Sequence, residues 1–348
     1  MQPHNGCAQS FRPGQVSLEP DPAKVRPPDE ECDADLDVAH GQLAPESETW
    51  PSTHQKELLM VQVHHRRAIV DGHSLFYREA GTPSQPHVIL LHGYPTSSHM
   101  YRHLIPLLAD RYHVVAPDFL GFGLSDAPQV ADFNYSFDAL AAVTAALLGR
   151  LGIDRYAMYV QDYGAPVGWR LAIRDPRSVI AVISQNGNAY TEGFVDEYWE
   201  PIWRFAETPN AANEEAIRAA FTLDAIKWQY THGVSDQSLV SPDTWNHDYA
   251  LIRRPGNAEV QLELARDYPS NVELYPVLHD YFRTTQVPLL AVWGGNDQIF
   301  GPAGAEAFAQ DLPEAEIHLL DAGHFALESE IDSITGLIGQ FLERTLPN

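Results

Sequence analysis

One stretch of sequence gives the strongest indication of the fold: Ala157-Met158-Tyr159-Val160-Gln161-Asp162-Tyr163-Gly164-Ala165-Pro166-Val167-Gly168. Its first four residues are apolar or aromatic and predict a buried strand, which runs directly into Asp162. Gly164 stands two places later, where a sharp strand-to-helix turn needs a small residue. Pro166 is tolerated in the first turn of the helix that follows, because its missing N–H would be unpaired there anyway. The stretch therefore predicts a strand, a sharp turn that carries a carboxylate, and a helix.

Asp162 lies at the apex of this turn, and two roles fit a carboxylate there. An aspartate is ionised at neutral pH and needs no base in order to attack, which suits displacement at carbon through an alkyl ester. The helix that begins after it would direct free N–H groups and a positive dipole end at the site. The other role is to cap that helix, as aspartates often do. We predict a nucleophile, because the partner residues identified below complete such a site.

Short apolar runs recur along the chain, with helical stretches between most of them. Two strands, at residues 61–70 and 74–80, flank the turn Asp71-Gly72 and predict a hairpin. The later apolar runs lie at residues 88–91, 114–116, 157–160, 179–183, 289–293 and 317–320, and the helical spacing is clearest at 99–109 and 137–151. Strands that alternate with helices predict an α/β fold with a mostly parallel, doubly wound sheet.

The alternation stops between residues 187 and 275, a region that is rich in aromatic residues and has no clear apolar strand. We interpret this region as a helical lid, or cap, over the sheet. The α/β core then comprises residues 58–186 and 276–348. Residues 1–57 carry prolines and an acidic cluster without any period, which predicts a disordered acidic tail. An interaction arm is the alternative for that tail.

Composition excludes several classes of partner. The formal charge of −25 argues against nucleic acid and disfavours anionic membranes, so a small neutral substrate fits best. The only cysteines are Cys7 and Cys32, both in the predicted tail, and the core therefore offers no disulfide framework or thiolate zinc site. We predict no metal and no cofactor. No apolar run of membrane length and no leader pattern is visible, so we expect a cytoplasmic location, and the oligomeric state stays open.

A second motif, Leu91-His92-Gly93-Tyr94-Pro95, ends the first buried strand. Gly93 lets the backbone approach closely, and Pro95 stiffens the turn after His92. The backbone N–H groups of Tyr94 and Tyr163 would form the pair of donors that an oxyanion hole needs. An ordinary strand-to-helix loop is the alternative. We favour the oxyanion hole because the motif precedes the Asp162 turn by one strand–helix unit.

Two later strands end in an acid and in a histidine. Asp297 follows the glycine turn after residues 289–293, and His324 follows residues 317–320. Both lie at the carboxyl edge of the predicted sheet, where open α/β sheets place their sites. His324 stands out among sixteen histidines by this position. Asp297 would orient its imidazole and stabilise the charged form, as in other triads.

These segments together resemble the α/β-hydrolase superfamily, specifically its branch of epoxide hydrolases and haloalkane dehalogenases with an aspartate nucleophile. The resemblance covers about residues 70–345. It rests on His92-Gly93-Tyr94-Pro95, Asp118-Phe119-Leu120-Gly121-Phe122-Gly123, Val160-Gln161-Asp162-Tyr163-Gly164, Asp297 and Gly323-His324. It implies an α/β-hydrolase fold and an ester that water hydrolyses, with the histidine as general base.

The resemblance leaves the electrophile open. Dehalogenases of this branch hold the halide with a tryptophan after the nucleophile and an asparagine after His-Gly, where this chain has Tyr163 and Tyr94. Epoxide hydrolases commonly have an aromatic residue at the second of these positions and protonate the opening oxygen with lid tyrosines. Val160, in contrast, is more typical of dehalogenases. The candidate lid acids are Tyr268, Tyr190 and Tyr198.

Three hypotheses follow for the function. We predict an epoxide hydrolase, which converts an epoxide and water to a diol through the aspartyl ester. The first alternative is a haloalkane dehalogenase. The second is a hydrolase-like scaffold that binds a ligand without turnover, although such descendants typically lose a member of the triad and this chain keeps all three. Each lid tyrosine could also serve only to pack the aromatic interior of the lid.

Overall fold

The computed structural model describes residues 61–346. The predicted tail, with both cysteines, lies outside the described residues. Between residues 61 and 346, no helix has the length and apolar character needed to cross a membrane.

The described residues form a single eight-stranded sheet in the order β1-β2-β4-β3-β5-β6-β7-β8. The strands β1 and β2 form the predicted antiparallel hairpin, β2 pairs antiparallel with β4, and all other neighbours are parallel. The sheet is thus mostly parallel, as predicted. The strands are β1 (His64–Val70), β2 (His73–Ala80), β3 (His87–Leu91), β4 (His113–Pro117), β5 (Tyr156–Gln161), β6 (Val179–Gln185), β7 (Leu289–Gly294) and β8 (Glu316–Leu320).

The apolar runs mark the strands because both faces of the sheet centre are covered. Every residue of β4, β5 and β7 is buried, whereas the edge strands β1 and β8 keep exposed or half-buried positions. A strand that is buried on both faces needs a continuous apolar sequence. The carboxyl ends of β3, β5, β6, β7 and β8 all lie at one edge of the sheet, since these strands run parallel.

The helices outside the region between β6 and β7 cover the two faces of this sheet. Ser136 begins the helix at 137–150 by accepting the N–H of Ala139 at 3.1 Å. These helices are α1 (Leu104–Leu108), α2 (Phe137–Arg150), α3 (Gly164–Arg174), α10 (Ala303–Glu306), α11 (Ala326–Ser329) and α12 (Ile331–Thr345).

The predicted helix at 99–109 is wrong as a continuous element. It divides into a 3₁₀ turn, Ser98–Tyr101, and the short α1. Pro106 has no N–H to donate to the carbonyl of Arg102, so a single helix cannot run through both. Leu107, within this range, is 53% exposed.

Six helices fill the described chain between β6 and β7, which we call the helical insertion: α4 (Asp196–Glu207), α5 (Ala211–Arg218), α6 (Leu223–Thr231), α7 (Asp243–Ile252), α8 (Asn257–Asp267) and α9 (Pro269–Thr285). Trp199 anchors the insertion, because its indole N–H donates to the carbonyl of Ile299 at 2.8 Å and its ring packs on Tyr268. Tyr275, the residue at which we ended the lid, lies in the middle of α9.

Candidate active site

Asp162 sits at the sharp turn between β5 and α3, in a left-handed backbone conformation with φ of 48°. Such a conformation costs free energy in any residue but glycine and recurs at functional sites. The turn is tight: a Cβ atom at Gly164 would collide with the carbonyl of Leu91. A Cβ atom at Gly93 would collide with Asp162 itself. The two glycines thus let the loop after β3 lie directly against the carboxylate.

Backbone donors hold one side of the carboxylate. The N–H of Tyr94 donates to Asp162 Oδ1 at 2.6 Å. The N–H groups of Tyr94 and Tyr163 both stabilise the charged form and lower the pKa of Asp162. Burial has the larger and opposite effect, so the pKa of this carboxyl lies above its usual value. The two residues predicted for an oxyanion hole thus both direct their N–H groups at Asp162.

His324 faces the other side of the same carboxylate. Its Nε2 lies 3.8 Å from Asp162 Oδ2, and its Nδ1 lies 2.8 Å from Asp297 Oδ2. Because Asp297 accepts the Nδ1 proton, the neutral imidazole carries its lone pair on Nε2, toward Asp162. Burial lowers the pKa of His324 most strongly, but the two carboxylates together raise the pKa above its usual value. The three residues of the predicted triad therefore converge.

Asn186 completes the surroundings of Asp297, and sequence reasoning missed it. It follows β6, also adopts a left-handed conformation with φ of 49°, and donates to Asp297 Oδ2 at 2.8 Å. Its own Oδ1 accepts the N–H of Gly294 at 2.9 Å. The available signal was the polar run Ser184-Gln185-Asn186 at the carboxyl end of an apolar strand.

His92 and Pro95 shape the loop after β3 and do not touch the carboxylate. The ring of His92 is fully buried, and its Nε2 accepts the N–H of Phe119 at 3.1 Å. Its Nδ1 then carries the proton and donates to the carbonyl of Gly93 at 2.9 Å. Burial lowers the pKa of His92, which keeps it neutral. The peptide bond Tyr94-Pro95 is cis.

Three tyrosines lie around the carboxylate: Tyr198 and Tyr268 belong to the insertion, and Tyr163 belongs to the turn before α3. The Tyr268 ring lies 5.9 Å from the Tyr163 ring. Burial raises the pKa of Tyr163, Tyr198 and Tyr268, and the charge of Asp162 raises each further. None of their hydroxyls has a hydrogen-bond partner among residues 61–346. The fourth nearby phenol, Tyr94, is already engaged, because its hydroxyl donates to the carbonyl of Ala220 at 3.1 Å.

Tyr163 and Tyr198 also border free space. Both side chains are partly exposed, although burial is the largest cause of the raised pKa of each hydroxyl.

The prediction of Tyr190 as a lid acid is wrong. Its hydroxyl donates to Asp311 at 2.9 Å, and its ring stacks on His279 with 4.3 Å between the centroids. This tyrosine comes before the first helix of the insertion, and its hydroxyl is directed away from Asp162.

Comparison with known proteins identifies the family. The model of the α/β hydrolase fold family matches residues 86–331. An uncharacterized hydrolase of Saccharomyces cerevisiae is 40% identical over 283 residues, which covers 80% of this chain and 97% of the yeast protein. A protein named haloalkane dehalogenase 2 from Mycobacterium tuberculosis is 40% identical over 266 residues, covering 76% of this chain and 90% of that protein.

Solved structures lead to the same family. The haloalkane dehalogenase DbeA from Bradyrhizobium elkani superimposes with a TM-score of 0.67 and 27% identity, over 81% of this chain and 98% of that one. The epoxide hydrolase CorEH superimposes with a TM-score of 0.66 over 81% of this chain and 99% of that one, and at 20% identity it shows the shared fold alone. The chain belongs to the α/β-hydrolase superfamily, in the branch of haloalkane dehalogenases and epoxide hydrolases.

Proposed function

We propose that this hydrolase is an epoxide hydrolase that works through an alkyl ester on Asp162. In the first step, Asp162 Oδ2 attacks a ring carbon of the epoxide, and the carbon–oxygen bond of the ring breaks. Its electron pair goes to the oxygen, which takes a proton from a tyrosine hydroxyl. Asp162 suits this attack because its Oδ1 is held by the N–H of Tyr94, which leaves Oδ2 free.

The observation that carries the epoxide proposal is the group of phenol hydroxyls beside Asp162. The hydroxyls of Tyr198 and Tyr268 have no hydrogen-bond partner among residues 61–346 and lie within electrostatic range of the carboxylate. Their raised pKa values keep both phenols protonated through the neutral range. An opening epoxide develops alkoxide charge and needs such donors as the charge forms.

In the second step, His324 takes a proton from water while the water oxygen attacks Cγ of Asp162. The charge that develops on Oδ1 meets the N–H of Tyr94, which donates to this oxygen before the reaction, and the N–H of Tyr163 also stabilises negative charge on this carboxyl group. Ester formation also prepares the base. The charge of Asp162 raises the pKa of His324, so loss of that charge lowers the pKa and favours the neutral imidazole.

A haloalkane dehalogenase is the second candidate. It is favoured by the 40% identity to the Mycobacterium tuberculosis protein that is named haloalkane dehalogenase 2. The same carboxylate would displace a halide, whose charge the free phenol hydroxyls would then hold. No proton transfer to the leaving group is needed in this case. The two proposals share the ester on Asp162 and differ in the bond that breaks and in whether the leaving group needs a proton.

One experiment separates them. Purified protein would be offered matched epoxides and haloalkanes of equal chain length, with diol and halide release measured in parallel and Asp162→Ala as the control for background hydrolysis. We expect diol formation that depends on Asp162. Halide release with every epoxide left intact would replace the first proposal with the second.

A further inference from the structure

Gln161 is the last residue of β5 and precedes Asp162. Its side chain is fully buried, and its amide Nε2 lies 3.0 Å from Nε2 of His324. That contact is shorter than the 3.8 Å between the same histidine nitrogen and Asp162 Oδ2. The amide of Gln161 is thus closer to His324 Nε2 than the carboxylate of Asp162 is.

The direction of this hydrogen bond follows from the other nitrogen of the ring. Asp297 accepts the proton on His324 Nδ1 at 2.8 Å, so Nε2 of the neutral imidazole has only a lone pair to offer. The amide of Gln161 therefore donates an N–H to that lone pair. A water molecule that gives its proton to His324 must take this position from the amide.

The other end of the same amide has no partner. Gln161 Oε1 is buried and accepts no hydrogen bond from residues 61–346. A buried carbonyl oxygen without a donor destabilises a protein, and such groups commonly bind water. The same amide group that contacts His324 Nε2 thus also carries an acceptor oxygen without a donor.

We propose that Gln161 is the positioning residue for the water that hydrolyses the ester on Asp162, which rests on the proposed function. Before the ester forms, the amide N–H covers Nε2 of His324. In the alkylated enzyme, water lies between Nε2 and Asp162 Cγ, with one hydrogen directed at Nε2 and the other at Gln161 Oε1. Both acceptors then point the water oxygen at the ester carbon.

The step balances without any further reactant. The water proton goes to His324 Nε2, and the water oxygen bonds to Asp162 Cγ. The bond between Cγ and the alkyl oxygen then breaks, and its electron pair leaves with that oxygen, which takes the proton back from His324. The new carboxyl group of Asp162 loses its proton and restores the tyrosine that was deprotonated in the first step.

The variant Gln161→Met tests the proposal, because it removes both polar atoms at nearly constant volume. We expect ester formation at the wild-type rate and ester hydrolysis slower by about tenfold to a hundredfold, as for a misplaced reactant. Rapid-quench mass spectrometry would show the alkylated protein accumulating. Equal slowing of both steps, or of neither, would overturn the proposal. Gln161→Leu gives the same test if the methionine variant does not fold.

A second measurement needs no substrate. The amide N–H favours the neutral imidazole, so its loss should raise the pKa of His324 by about 0.5 to 1, as expected for one hydrogen bond. NMR titration of labelled histidine would show this, with the signal assigned through His324→Gln. An unchanged or lowered pKa would overturn the proposal, even for a protein that consumes no epoxide.

Gln185 provides the matched control. It pairs with Gln161 across β5 and β6, is equally buried, and donates to the backbone carbonyl of His324 at 2.8 Å. Gln185→Met should lower the melting temperature, because it leaves that carbonyl unpaired, yet leave the pKa of the His324 imidazole in place. An equal shift of this pKa in both variants would assign the effect to general loosening and would overturn the specific role.

Discussion

At the scale of the residue, the site depends on one carboxylate whose two oxygens have different surroundings. The N–H of Tyr94 donates to Asp162 Oδ1, while Oδ2 faces His324. Burial disfavours the charged form of Asp162 and raises its pKa above the usual value. Ester formation should therefore fail on acidification at a higher pH than for an ordinary aspartate.

The proposed roles, attack by Asp162 and activation of water by His324, predict the behaviour of His324→Gln. Alkylation of Asp162 needs no base, whereas hydrolysis of the ester does. We expect the variant to react once and then stop, with a gain in protein mass equal to that of the added alkyl group, measured by intact mass spectrometry. Normal turnover would show that another group is the base.

Tyr268→Phe tests the phenol donors. A general acid contributes about 10²–10⁴-fold, so we expect slower ester formation from epoxides, although Tyr198 can retain part of the rate. Stopped-flow measurement of a single turnover reports this step directly. Tyr190→Phe is the matched control, since its hydroxyl is engaged by Asp311. An unchanged rate in the double variant of Tyr198 and Tyr268 would contradict the assignment.

At the scale of the element, Asp248 of α7 links the insertion to the loops of the site. It is buried, and its carboxyl accepts the hydroxyl of Tyr230 at 2.5 Å and that of Thr96 at 3.4 Å. Tyr230 in turn stacks on Phe325, next to His324, with 3.9 Å between the ring centroids. Burial is the main cause that raises the pKa of Asp248 to about 8.

This carboxyl predicts a pH-dependent stability. The charges that face it are those of Glu328, which raises its pKa, and Arg102, which lowers it. The folded protein binds this proton more tightly than the unfolded chain does. The stabilising contribution is therefore complete below about pH 4 and is lost as the pH rises to about 8.

Asp248→Asn tests this contribution, because it mimics the protonated carboxyl at every pH. The free energy of unfolding of the variant minus that of the wild type should increase by on the order of a few kcal/mol as the pH rises from 4 to 8. Thermal or urea unfolding across this range measures the difference. Asp243→Asn, exposed on the same helix, should show no such trend. Parallel pH profiles for all three proteins would contradict the prediction.

Elements and site residues differed in how far the sequence could predict them. The strands were predictable because burial on both faces demands apolar runs, as in β5 and β7. The helix at 99–109 failed because periodicity alone ignored Pro106. Sequence reasoning missed Asn186 and misplaced Tyr190, because both depend on where a side chain points in three dimensions, which spacing along the chain does not encode.

At the scale of the whole molecule, the sheet brings distant segments to one edge. The loops after β3, β5, β6, β7 and β8 meet there, and the insertion covers them with tyrosines. Each loop supplies a separate part of the site: a backbone donor, the carboxylate of Asp162, the amide of Asn186, the carboxylate of Asp297 and the imidazole of His324. The order of the strands, more than any single motif, therefore accounts for the site.

The covalent ester on Asp162 is the central claim, and one turnover in heavy-oxygen water tests it most directly. With enzyme in excess over the epoxide, water attacks Cγ, so its oxygen should remain in the carboxylate of Asp162. Mass spectrometry of the peptide that contains Asp162 should then show the label, while the first product carries none. Label confined to the product would mean direct attack by water and would contradict the account.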